Sequence, residues 1–230
     1  KSELINEFIR QNTGLRIQIR EGSRKYQLEQ FAEAFCEFFE DPFIGKNGFI
    51  SWDSVFEYLA SRSTNRFILA IDEFPYLVKE DRSILSILQY HWDNRLRKTR
   101  IFLILSGSSI GMMEDEVLSY RSPLFGRRTG QLLLRSFRFH EVLPIFQDFR
   151  KAVEYYAVYG GTPAYILSVD TSETIEDSIE KNLLNPLSYL FREVEFLLRM
   201  ELVEPRYYFS ILLSISRGNN TQHLITNDTG

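Results

Sequence analysis

Arg66-Phe-Ile-Leu-Ala-Ile-Asp-Glu73 is the stretch that decides the fold of this chain. Its five successive apolar residues, Phe67 to Ile71, show no alternation, which is the pattern of a strand covered on both faces in a parallel sheet. A second unbroken apolar run, Ile101 to Leu105, ends in Ser106-Gly107-Ser108-Ser109. Between the two, Ser83 to Lys98 places Leu85, Leu88, Trp92 and Leu96 along one helical stripe. Strand, helix, strand in this order predicts a right-handed crossover and a parallel sheet.

Working outward, Lys1 to Gln11 reads as an amphipathic helix, and Leu15 to Arg20 alternates as a short strand should. Tyr26 to Phe39 and Ser51 to Ala60 read as helices, with a Pro- and Gly-containing loop, Asp41 to Gly48, between them. Gln131 to Leu134 reads as a further short strand. From there the periodicity is helical: His140 to Gln147, Lys151 to Tyr159, Pro163 to Val169, Ser172 to Leu184, Tyr189 to Leu202 and Tyr207 to Ser216, with another helix starting at Thr221. A boundary near residue 137 separates an α/β part from an all-helical part.

Bulk properties narrow the function classes. The 230 residues carry 27 basic and 31 acidic side chains, a net charge of −4, which excludes a nucleic-acid surface over the whole protein but not a local patch. Cys36 is the single cysteine, so an internal disulfide and a cysteine metal cluster are excluded; it is expected in the core, and a cytoplasmic setting fits. No stretch approaches the roughly 18 apolar residues of a membrane span. His91, His140 and His223 are isolated and read as structural.

The chemistry gathers at a few places. Asp72 and Glu73 close a buried strand at its carboxyl end, where ligands of open α/β sheets bind. One carboxylate can hold a magnesium ion while the next polarises a water; the pair also reads as a solvated acidic turn. Lys1-Ser2 opening a helix matches the end of the phosphate-loop motif, where the lysine reaches phosphate and the hydroxyl binds magnesium. Ser106 and Ser108 stand at the next strand end, either beside a phosphate or as a helix-capping turn. Arg127 and Arg128, between Gly126 and Gly130, suit oxyanion contact or a solvated basic turn. Gly160-Gly161-Thr162-Pro163 is a helix-to-helix corner.

Four runs together resemble a known family: Ala70-Ile-Asp-Glu-Phe-Pro-Tyr-Leu77, Leu105-Ser-Gly-Ser-Ser-Ile-Gly-Met-Met-Glu114, Ser122-Pro-Leu-Phe-Gly-Arg-Arg-Thr-Gly130 and Tyr159-Gly-Gly-Thr-Pro-Ala-Tyr165. In that order they look like the archaeal-type ATPases of the AAA+-related, STAND-like branch of P-loop proteins. The resemblance implies a P-loop NTPase fold with a five-stranded parallel sheet, an all-helical lid and a winged-helix unit, here residues 1–137, 138–204 and the start of the third at 205–230. It implies ATP and Mg2+ as ligands. Lys1 and Ser2 would close the Walker A motif, Asp72 would serve the magnesium and Glu73 would activate water. Ser106 or Ser108 would act as a sensor, and Gly161-Thr162-Pro163 would lie near the adenine. Arg127 or Arg128 would sense phosphate or reach into a neighbouring subunit. The glycine loop and strand that should precede Lys1 lead to an expectation of around 20 to 40 further N-terminal residues. The leading expectation is a nucleotide-driven molecular switch, with DNA or protein partners at the C-terminal unit, a homo-oligomer as one arrangement, and no membrane. The alternatives are a nucleotide-regulated DNA-binding protein with little turnover and a degenerate P-loop interaction module.

Overall fold

A computed structural model describes residues 1–146, 148–202 and 204–230. The described residues group into two compact units, Lys1–Leu132 and Leu133–Gly230.

The first unit is α/β. Its sheet has three parallel strands in the order β1 (Gly14–Gln18), β2 (Phe67–Asp72), β3 (Ile101–Ser106). Every residue of the central strand β2 is buried, which is why its sequence lacks alternation. Side chains of a strand alternate between faces, and the burial follows. Phe67, Leu69 and Ile71 join the main core with Phe31, Phe35, Trp52, Phe56, Leu59, Leu85 and Leu88. These come from α2 (Arg24–Phe39), α4 (Trp52–Arg62) and α6 (Ser83–Asn94), with the short α3 (Pro42–Asn47) and α5 (Pro75–Glu80) between them in the chain. Ile68, Ala70 and Asp72 face the other way, toward α1 (Ser2–Arg10), whose Phe8 ring meets Phe102 edge-on at 6.1 Å. The helices begin where the sequence supplies caps: Ser23 accepts from Tyr26 N–H, and Ser51 and Ser54 form a reciprocal capping box.

Several expected boundaries are corrected. Asp41–Gly48 is not all loop: Asp41 caps α3, and Pro42 at its first position is pre-set for the helix. Ser83–Lys98 breaks at Arg95 into α6 and a 3₁₀ turn, Leu96–Lys98. Cys36 is half-buried, with its Sγ against Gly45. Gln131–Leu134 is irregular rather than a strand, and Leu132, Leu133 and Leu134 are exposed. A strand persists by pairing with a neighbour, and among the described residues no strand lies beside this segment. Among the described residues the sheet therefore has three strands, one fewer than the four read in this sequence; the fifth that the resemblance implies was expected before Lys1. After β3, a helical turn α7 (Ile110–Met112) runs into a π-helical stretch, Met113–Leu118.

The second unit is helical: α8 (Phe139–Phe146), α9 (Phe149–Tyr159), α10 (Pro163–Leu167), α11 (Ile175–Ile179), α12 (Glu193–Glu201), α13 (Pro205–Ser216) and α14 (Gln222–Thr229). Gln147, the expected end of the first of these helices, lies outside the described residues. Its core is Val142, Phe146, Ala152, Tyr155, Tyr159, Ile166 and Leu190. The two buried tyrosines bring polar tips inside, and both are satisfied. Tyr155 Oη donates to Glu173 O at 3.0 Å, and Tyr159 Oη donates to Ser178 O at 2.9 Å.

Gly161 has a packing reason to be glycine. A Cβ there would meet Phe137 O at 1.8 Å, while Phe137 N–H donates to Gly161 O at 2.8 Å. Gly161→Ala is therefore expected to destabilise this unit by about 2 kcal/mol through overpacking. A urea melt of the full protein followed by tyrosine fluorescence checks this; an unchanged midpoint would show that the backbone can yield.

Candidate functional site

Parallel register lines up the site. Gln18, Asp72 and Ser106 are paired across β1, β2 and β3, so their side chains leave the same sheet face at the carboxyl end. Arg16 pairs with Ala70 and shares that face two residues earlier. The start of α1 lies over it and delivers Lys1 and Ser2.

Asp72 is fully buried and hydrogen-bonded through both carboxylate oxygens. Its Oδ1 accepts from Ser106 Oγ at 2.6 Å and Glu73 N–H at 3.1 Å, with Lys1 Nζ at 3.0 Å. Its Oδ2 accepts from Ser2 Oγ at 2.7 Å and from Arg16 Nη2 at 2.7 Å and Nε at 3.0 Å. Burial by itself would raise the pKa of this carboxyl. The hydrogen bonds from Ser106, Ser2, Arg16 and Lys1 outweigh it and hold the group well below the usual carboxylate range.

Glu73 is one of two non-glycine residues with positive φ among the described residues, at 61°. That left-handed conformation costs energy for a side chain with a Cβ. It is held on both sides: Glu73 N–H donates to Asp72 Oδ1 and Phe74 N–H donates to Ser106 O at 2.9 Å. The twist sends the Glu73 carboxylate to Lys1 Nζ at 2.5 Å and to Ser108, whose N–H and Oγ donate at 3.1 and 3.0 Å. Gly107 between the two serines is also tightly placed, since a Cβ would meet Pro75 Cγ at 2.7 Å and Met113 Cγ at 2.8 Å.

Lys1, Ser2, Asp72, Glu73, Ser106 and Ser108 thus form one hydrogen-bonded cluster. Among the described residues neither Arg127 nor Arg128 bonds to it. Arg127 forks onto Asp93 at 2.7 and 3.1 Å and donates to Pro123 O and Phe125 O, which ties its loop to α6. Arg128 is exposed and donates to Gln131 Oε1. Gly161 and Pro163 belong to the second unit, where Pro163 opens α10. Arg16 is the residue that the sequence reading missed. Its signal was present in the polar members of the alternating run Leu15 to Arg20, once β1 is known to lie beside Asp72.

The donor set suits a hard divalent cation that keeps waters. It offers two adjacent carboxylates and a serine whose O–H points at Asp72, leaving its oxygen lone pairs free for a cation. Among the described residues no group of three or more His, Cys, Asp or Glu side chains is placed to hold a metal. No helix of the described residues is long and apolar enough to cross a membrane.

Residues 1–169 match the model of an ATPase domain found predominantly in Archaea. An uncharacterized protein of Methanocaldococcus jannaschii is 38% identical over 181 residues, covering 78% of this chain and 40% of the relative. A second uncharacterized protein of that organism is 40% identical over 65 residues, covering 28% of this chain and 63% of the relative. The chain spans less than two thirds of the length of either. The Walker-type ATPase PABY2304 of Pyrococcus abyssi has a similar fold, with a TM-score of 0.68 at 22% identity over 97% of this chain and 73% of that one. With the family model covering most of its length, the chain belongs to the family of ATPase domains found predominantly in Archaea.

Proposed function

We propose that this domain binds ATP with Mg2+ and hydrolyses it, with Glu73 as the base. The observation that carries the reading is the single cluster in which Asp72 and Glu73 meet Lys1, Ser2, Ser106 and Ser108. Lys1 and the amino end of α1 supply positive potential for phosphate. Ser2 and Asp72 would hold Mg2+, which neutralises phosphate charge when bound. Ser108 steers the Glu73 carboxylate. Glu73 takes a proton from the water as its oxygen bonds to the γ phosphorus and the bridging P–O bond to ADP breaks. Ser106 fixes Asp72 and is read as the sensor at the strand end.

The finer assignments belong to the same reading. Gly161 and Pro163 are proposed to border the adenine from a helical lid over 138–204. Arg127 is committed to Asp93, so Arg128 is the better candidate for phosphate contact, within the subunit or across a homo-oligomer. Residues 205–230 are read as the start of a winged-helix unit, through which hydrolysis would be signalled to DNA or a protein partner. A cytoplasmic setting fits the free Cys36.

The test is ATP binding and phosphate release by the full protein with and without Mg2+. Binding followed by turnover is the expected result. Absence of ATP binding would overturn the reading in favour of a degenerate interaction module, and binding without turnover would favour a nucleotide-regulated DNA-binding protein.

A further inference from the structure

We infer that Arg16 is the fixed counter-ion of Asp72 and makes the site take its divalent cation only together with nucleotide. The inference rests on the ATP-binding reading above and adds an order of assembly to it. Four charged side chains meet here. Asp72 and Glu73 carry two negative charges, and Lys1 and Arg16 carry two positive ones. Without nucleotide the cluster is self-neutralised, and a free divalent cation finds no net charge to attract it.

The two cations are held differently. Arg16 leaves a strand, and its guanidinium is fastened at three places: Nη1 donates to Asn6 Oδ1 at 3.2 Å, Nη2 donates to Gln18 Oε1 at 3.1 Å, and Nε and Nη2 both donate to Asp72. Its planar fork is spent on these partners, and only 18% of the side chain is exposed. Lys1 is a point charge on a flexible stem, and among the described residues its side-chain partners are the carboxylates of Asp72 and Glu73. A nucleotide phosphate therefore draws off Lys1 and leaves Arg16 in place. Departure of Lys1 leaves the Glu73 carboxylate bonded to Ser108 and the protein side of the cluster with one net negative charge. The cation site becomes attractive only at that step. Because coupling between two ligands is reciprocal, the cation in turn tightens nucleotide binding.

Mn2+ binding to the full protein, read by the loss of free-ion electron paramagnetic resonance signal without nucleotide, tests this. Wild type is expected not to bind Mn2+ alone below about 1 mM. Arg16→Gln is expected to bind it roughly tenfold more tightly or better, as one unit charge is removed a few ångströms from the cation. Arg16→Lys keeps the charge and should stay within about threefold of wild type. A folded, ATP-binding Arg16→Gln protein with unchanged Mn2+ affinity would overturn the inference. So would tight Mn2+ binding by wild type alone, a result that does not depend on any variant folding. Failure of wild type to bind ATP at all would sink the ATPase reading itself, so the two failures are distinguishable.

Discussion

Glu73→Gln is expected to leave ATP binding intact and to slow phosphate release by two to four orders of magnitude, about the contribution of a positioned general base. The substitution is close to isosteric. Its side-chain oxygen can still accept from the Ser108 N–H and Oγ, so the turn at φ 61° and the position of Ser108 are preserved. What is lost is the capacity to accept a proton and the charge that holds Lys1 at 2.5 Å. Lys1 then keeps Asp72 as its one carboxylate partner and is held less tightly, so ATP affinity should equal or exceed that of wild type. Turnover within about threefold of wild type would assign Glu73 a purely structural part, as the anchor of Lys1 and Ser108.

Asp72→Ala is expected to be costlier because it acts on stability and activity together. The carboxylate is fully buried and receives hydrogen bonds from Ser2, Ser106 and Arg16, with Lys1 beside it. Removing it strands the guanidinium and two hydroxyls in a half-buried site, at a cost of about 3 kcal/mol. Magnesium-dependent turnover should fall below detection. The pH dependence has a definite sign. The folded carboxyl titrates below its unfolded value, so the unfolded chain takes up its proton first and acid favours unfolding. The stability gap between wild type and Asp72→Ala should be full above about pH 4 and shrink as pH falls toward the folded value. Urea melts between neutral and acid pH measure it, and a gap that persists unchanged into acid would show that the charge on Asp72 is not what stabilises the fold.

Much of this site was legible in the residue order. The uninterrupted run Phe67–Ile71 reads as a doubly covered strand, and the acidic pair behind it marks the strand end where ligands of open sheets bind. Lys1, Ser2, Ser106 and Ser108 were each ambiguous alone and informative through the neighbours the expected fold gives them. Arg127 shows the opposite case. A guanidinium between glycines reads the same whether its partner is a phosphate or Asp93, thirty-four positions earlier in the chain. Local sequence does not name partners that far away.

The sequence by itself determined which segments are apolar on one face or two, and hence the parallel α/β part, the helical part and the candidate carboxylates, because periodicity and burial are local consequences of side-chain order. Tertiary structure alone decided that Arg16 stands against Asp72, since that contact depends on the register that aligns Arg16 with Ala70. It also decided that Gln131–Leu134 stays irregular, because a strand exists only where another offers its backbone hydrogen bonds. And it decided that Glu73 is driven into a left-handed turn: no local preference favours that conformation, and the bonds from Glu73 N–H to Asp72 and from Phe74 N–H to Ser106 help hold it there.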